Sequence, residues 1–228
     1  NWVALSTQGG DVRLWHVATR ALVRRLEAPG AFGRSGHSYD VAFSPDGSIL
    51  ALGLPNGAVR LWQLSGDNQH PQIKRLHTVR VDAGETESLA FSPDGHTLAA
   101  GAGNGAVHLW QVEDGTLLQS LPGHADAVVG APAVVGVAFA PDGTTLAAAS
   151  LDGTVKIWDM TSATLINEIE KMPVPTGVAF SSDGSILAID RQLWRVDDWS
   201  FIRELEFIRG GMGNVAFSPD GELLAAGN

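Results

Sequence analysis

The chain has no cysteine among its 228 residues. Disulfides, thiolate metal sites and a thiol nucleophile are therefore excluded, and a reducing, cytoplasmic setting is the expected location. Basic residues are scarce: 15 Lys and Arg against 25 Asp and Glu leave a net charge of −10. An acidic surface repels phosphate, so neither nucleic acid nor an anionic membrane is expected as a partner. Apolar runs are short, and none approaches the ~20 residues of a membrane span. There is no initiator Met and no charged-then-apolar leader. Asn1-Trp2-Val3-Ala4-Leu5 already reads as a strand, so the chain is expected to be cut from something longer. No segment keeps a 3.6-residue apolar period over the length of a helix; Phe201 to Ile208 is ambiguous alone and reads as a strand from its place in the pattern. His16, His37, His70, His77, His96, His108 and His124 form no His-x-His or His-x₃-His pair. No metal and no cofactor are expected.

What the chain has is repetition. Phe43-Ser44-Pro45-Asp46-Gly47 returns at Phe91 to Gly95, at Phe139 to Gly143 with Ala140 for Ser, at Phe180 to Gly184 with Ser182 for Pro, and intact at Phe217 to Gly221. Trp15, Trp62, Trp110, Trp158 and Trp194 keep a second rhythm, 47, 48, 48 and 36 residues apart. A period of about 40–50 residues holding only short strands is the spacing of propeller blades. Each unit reads as four strands. Strand a precedes the Asp-Gly turn, as in Val41-Ala42-Phe43. Strand b follows it, as in Ile49 to Gly53. A second tight turn, such as Asn56-Gly57 or Asp152-Gly153, leads to strand c and its Trp, and a looser strand d closes the unit. Strand b is mostly Ala and Gly while c and d carry Trp, Leu and Ile. That gradient fits sheets that converge at an axis.

A single all-β domain over 1–228 is expected. It comprises a partial unit at 1–30 lacking strand a, full units at 37–80, 86–121, 134–170 and 175–208, and a partial unit at 212–228 holding strands a and b. Two units deviate. The Ala127 to Val135 segment inserts after Gly123-His124, and Leu187 to Trp194 is about five residues short of Leu146 to Trp158, its turn collapsing to Asp190-Arg191-Gln192. The inventory is five a, six b, five c and five d strands. The leading expectation is part of a larger ring. A closed five-blade ring with a displaced strand, or strand exchange between chains, stays open beside it.

The repeated FSPDG, then LAxG or LAAAS, then DG-x-V-x-L/I-W resembles the WD-repeat (WD40) family of β-propellers over essentially the whole chain. The resemblance implies four-stranded antiparallel blades, about five blades' worth here, from a ring of about seven, with the tight, Ala/Gly-rich copies similar to a prokaryotic-type array. The family's Gly-His dipeptide is matched by Gly123-His124 and Gly36-His37, and its Trp-Asp dipeptide by Trp158-Asp159 alone. Its structural tetrad, carried over by position, falls on His124, Ser150, Asp152 and Trp158. A buried imidazole and an indole N–H need partners, and a hydroxyl and a carboxylate supply them. Elsewhere the Ser150 position holds Leu54, Ala102 or Thr7, and the Asp152 position Asn56, Asn104 or Gly9, so one blade is expected to carry the whole network.

His124, Ser150 and Asp152 are also the residue types of a hydrolytic triad, but Ser150 lies among alanines with no Gly-rich elbow to present it. No catalytic residues are assigned. Gly101 to Gly105 resembles a phosphate loop yet leads into a strand, so it reads as a hairpin turn. Arg24-Arg25 and Lys74-Arg75 read as solvated outer strands. In the family, the d-to-a and b-to-c connections share the face most used for binding. Carried over, that rim holds Arg34, Tyr39, Asp82, Glu85, Glu87 and Asp126 as candidate partner-binding residues. The acids Asp82, Glu85 and Glu87 favour a partner with a basic segment. The expected function is a non-catalytic protein–protein interaction scaffold or sensor/docking propeller, joined to or complexed with a larger signalling or defence effector. The alternative is a propeller-scaffold hydrolase or lyase with a central-channel site.

Overall fold

The computed structural model describes residues 2–6, 11–27, 40–66, 71–81, 84–121, 123–124, 133–170, 172, 175–206 and 214–227. These residues form strands and turns only. They divide into two compact units, one of Asn1–Ala102 with His108–Gln119, the other of Gly103–Val107 with Ser120–Asn228.

The first unit is built on three antiparallel sheets. The first has three strands, β1 (Trp2–Ser6), β2 (Asp11–His16) and β3 (Ala21–Glu27). The second has β4 (Val41–Phe43), β5 (Ile49–Gly53), β6 (Ala58–Gly66) and β7 (Pro71–Arg80). The third has β8 (Thr86–Phe91), β9 (Thr97–Ala102), β10 (Val107–Gln111) and β11 (Leu117–Leu121), of which Val107 and residues 120–121 count to the second unit. Within each sheet sequence neighbours are spatial neighbours, because connections of four or five residues allow only antiparallel pairing. Leu50 and Leu52 of the second sheet pack with Val12, Leu14 and Leu26 of the first. The other face of the second sheet, through Ala51, Val59 and Leu61, packs with Leu98, Ala100 and Trp110 of the third.

The second unit repeats the design. Its full sheets are β12 (Val134–Phe139), β13 (Thr145–Ser150), β14 (Val155–Asp159) and β15 (Thr164–Ile169), then β16 (Val178–Phe180), β17 (Ile186–Ile189), β18 (Gln192–Arg195) and β19 (Phe201–Glu204). A two-stranded sheet follows, β20 (Val215–Phe217) and β21 (Leu224–Ala226). Ala147, Ala149, Val155 and Ile157 face Val178, Leu187 and Ile189 across the sheet-to-sheet core. The small strand-b residues are fully enclosed, Ala147, Ala148 and Ala149 at 0% exposure. Among the described residues the 21 strands agree in number and type with the sequence inventory. The strand expected over 201–208 ends at Glu204, and 207–208 lie outside the described residues.

The tryptophan rhythm is a register mark. Trp62 pairs with Leu50, Trp158 with Leu146 and Trp194 with Leu187. Twelve positions separate Leu146 from Trp158, but seven separate Leu187 from Trp194. The shortened blade closes as a two-residue hairpin, with Ile189 paired to Gln192 around Asp190 and Arg191. Asp190 takes φ 49°, and its carboxylate accepts the Thr176 and Gly177 amides at 3.0 Å and the Thr176 hydroxyl at 2.8 Å.

The recurring Ser-Pro-Asp-Gly phrase forms a closed clasp. Ser44 Oγ donates to Asp46 Oδ1 at 2.5 Å and accepts the Ile49 amide at 2.9 Å, while Asp46 accepts the Ser48 amide at 3.0 Å. Gly47 supplies φ 71°, where a Cβ is strained. The same clasp recurs on Ser92 and Asp94, Ser181 and Asp183, and Ser218 and Asp220. Hydrogen bonds from Ser44 and then Ser48 hold the Asp46 carboxyl down to about 2, and those from Ser181 and Ser185 do the same for Asp183. A residue late in strand c or just after it then donates to this turn: Leu64 N to Ser48 O within β6, and Val112 N to His96 O, Met160 N to Thr144 O and Val196 N to Ser185 O just beyond their strands. The a–b and c–d turns of a blade are thereby fixed to each other.

Candidate functional site

The opposite end of each four-stranded sheet carries the b–c turn and the chain leaving strand d. These two segments are tied by one repeated backbone bond: Val81 N to Gly57 O, His124 N to Gly105 O, Met172 N to Gly153 O and Leu205 N to Arg191 O. At Gly123 the approach is closest. A side chain there would meet the Gly105 carbonyl oxygen at 2.7 Å, which explains glycine before His124.

From that anchor His124 reaches the next blade. Its Nδ1 lies 2.8 Å from Thr154 Oγ1 and 3.3 Å from Asp152 Oδ2. Thr154 Oγ1 donates to Asp152 Oδ1 at 2.7 Å, and Asp152 Oδ1 also accepts the Thr154 amide at 2.9 Å. Ser150 Oγ accepts the Asp152 amide at 3.1 Å. The Trp158 indole meets the imidazole edge-on, with centroids 6.2 Å apart. Since the threonine proton serves Asp152, Nδ1 carries the imidazole hydrogen. Nε2 is left a bare acceptor, buried and without a partner among the described residues. Burial, with Lys156 nearby, pushes His124 down to about 4 against the pull of Asp152. The imidazole is neutral at pH 7. Lys156 Nζ donates to Gly123 O at 3.4 Å and pairs with Glu168 at 3.8 Å.

The four residues carried over by resemblance thus converge on one blade, and Thr154 joins them as the central link. Its signal was present in the sequence: the matching position is Ala58 after Asn56-Gly57 and Ala106 after Asn104-Gly105. In those blades the turn amide is still capped, Ala58 N by Asn56 Oδ1 and Ala106 N by Asn104 Oδ1, both at 3.1 Å. The hydroxyl relay is missing there, as are the serine and the carboxylate, replaced by Leu54 or Ala102 and by Asn56 or Asn104. Ser150 is 0% exposed and His124 6%, so the triad-like residues offer no face to a substrate.

Of the rim candidates, Glu85 and Glu87 are described. Glu85 follows the segment pinned to the b–c turn at Gly57, Glu87 lies in β8, and both are half-buried. Arg34, Tyr39, Asp82 and Asp126 lie outside the described residues, as does 127–132 of the expected insertion, whose last residues Val134 and Val135 open β12. Gly101 to Gly105 forms the end of β9 and a turn, as the hairpin reading expects. Arg24-Arg25 and Lys74-Arg75 lie on the outer strands β3 and β7. Among the described residues no three His, Asp or Glu side chains gather as a metal site would require.

One residue at this end escaped the sequence reading. Asp40, just before β4, accepts the Leu89 amide of the next sheet at 2.7 Å and the Val41 amide at 2.8 Å, with the Ser88 hydroxyl at 3.4 Å. Burial raises its pKa against these hydrogen bonds. The matching positions are Ser88, Gly136, Gly177 and Asn214, so aligning the repeats one residue upstream of Val-Ala-Phe would have exposed it.

Consecutive four-stranded antiparallel sheets, a clasped Ser-Pro-Asp-Gly turn and a fixed Trp register define an all-β protein built from WD40-type propeller blades, about five in number. The family model described as WD domain, G-beta repeat matches residues 31–63 and 115–159, and that of the anaphase-promoting complex subunit 4 WD40 domain matches 62–130. Together they span more than half of the sequence, and the chain belongs to the WD-repeat family. WD40 domains generally act as protein–protein interaction scaffolds and are typically non-catalytic. No curated protein matches the chain.

Proposed function

We propose that the chain is a non-catalytic docking propeller, working in the cytoplasm, that holds a protein partner through a basic segment at the loop end and serves a larger signalling or defence effector. The observation that carries the reading is the burial of His124 and Ser150, with the half-buried Asp152 beside them, in a network that ties a loop to a blade and engages the residue types best suited to chemistry. Loops on such a scaffold are free to vary without loss of the fold. The acids Glu85 and Glu87 stand on the segment that enters β8, in a chain of net charge −10, and both features favour a cationic partner. The test is capture of partners by the purified chain at low and high salt, alongside Glu85→Gln/Glu87→Gln. The expected result is a partner whose binding weakens with salt and drops by about three- to tenfold in the double variant. A partner indifferent to both changes would overturn the basic-segment reading, and substrate turnover by the purified chain would overturn the scaffold.

A further inference from the structure

On the outer half of the second sheet, three arginines gather around one threonine. Arg60 of β6 stands directly across from Thr78 of β7, and Arg80 pairs with Ala58 two positions along, diagonal to Arg60 on the same face. Arg75, opposite Trp62 on that face, turns back and donates from Nη2 to Thr78 Oγ1 at 2.8 Å. The bulge between Arg60 and Trp62 shifts the register that brings Arg75 close. Arg60 is half-buried, and its Nε is buried without a hydrogen-bond partner. Among the described residues no ion pair reaches Arg60, Arg75 or Arg80. The like charges act on one another, for Arg75 and Arg80 add to burial in lowering the Arg60 pKa.

The chain has 25 acidic residues against 15 basic ones, so a counter-charge for this cluster was cheap to place and is absent from its described surroundings. Three guanidinium groups held near each other repel unless an anion lies between them. Their planar, forked donors suit a tetrahedral oxyanion, and Thr78 Oγ1, already accepting from Arg75, keeps its own proton to donate. We propose that Arg60, Arg75, Arg80 and the Thr78 hydroxyl form a binding site for an oxyanion of the phosphate class. Arg60 supplies the desolvated Nε–H, and Arg75 and Arg80 close over the anion from the solvent side.

The test is titration of the full chain with inorganic phosphate against chloride at matched ionic strength, followed by calorimetry and thermal melting. Wild type, Arg60→Gln, Arg80→Gln and the control Arg203→Gln on β19, outside the cluster, are compared. The expected wild-type response is millimolar binding and a rise in Tm of about 2–4 °C. Arg60→Gln and Arg80→Gln should weaken binding about tenfold, and Arg80→Gln, which relieves repulsion, should melt no lower than wild type in chloride. Arg203→Gln should bind as wild type does. A second arm uses a short phosphoserine peptide. Affinity at least tenfold above inorganic phosphate assigns the site to a phosphorylated segment, and equal affinity assigns it to the free anion. No phosphate-specific response, or one that survives in both Arg60→Gln and Arg80→Gln, overturns the site.

Discussion

Ala140 isolates the contribution of one hydroxyl. Four of the five a–b turns begin on a serine whose Oγ ties Asp two residues on to the amide five residues on. In the remaining turn the buried Ala140 keeps the backbone bond to Thr145 O at 2.8 Å, and Asp142 still accepts the Thr144 amide at 2.9 Å, but no side-chain oxygen is offered to the Thr145 amide. Ala140→Ser should complete the clasp and stabilise the domain by about 1 kcal/mol, the net value of an intramolecular hydrogen bond. Tm should rise by roughly 2–4 °C, and a melt unchanged or lowered would show that the clasp is geometry without energy.

At the scale of the element, the third full blade is joined to the connection that feeds it through Asp152. The carboxylate holds the Thr154 amide, the Thr154 hydroxyl and, at 3.3 Å, the imidazole of His124. Asp152→Ala leaves a buried hydroxyl and imidazole short of an acceptor, at a cost of about 1–3 kcal/mol, and should lower Tm by several degrees without altering strand content by circular dichroism. An unchanged Tm would overturn the account. The elements themselves were legible because an Asp-Gly turn, a small-residue strand and a Trp recur in one order, and register follows from turn length. The network was legible as a set of residues but not as a circuit: Thr154 works through its hydroxyl, and a threonine after Gly153 is otherwise ordinary strand entry. The Leu89 partner of Asp40 and the Arg60, Arg75 and Arg80 cluster were invisible for a different reason. Each depends on cross-strand or cross-sheet register, which a single pass along the chain does not give.

For the whole molecule, two sets of buried or clasped groups divide the acid range. His124 is held neutral, at about 4 when folded against about 6.5 when unfolded, so the unfolded chain binds the extra proton between those values. Its contribution is fully present above about pH 6.5 and is lost as pH falls toward 4, up to roughly 3 kcal/mol. The depressed carboxyls of Asp46 and Asp183, at about 2, favour the folded state above about pH 3.8 and lose that effect only below it. Denaturant midpoints measured between pH 7 and 4.5 should therefore fall for the wild type and fall less for His124→Asn, while equal slopes would remove His124 as the cause. The clasped turn has one more consequence, in the order of events during folding. Ser44 to Ile49 satisfy each other within six residues, as do their counterparts at Ser92, Ser181 and Ser218. Contacts so local close on the microsecond scale, ahead of any sheet-on-sheet packing. Folding can start at any of four hairpins, and the hairpin at Ala140, which belongs to the blade with the fullest polar network, is the one that must wait for its neighbours.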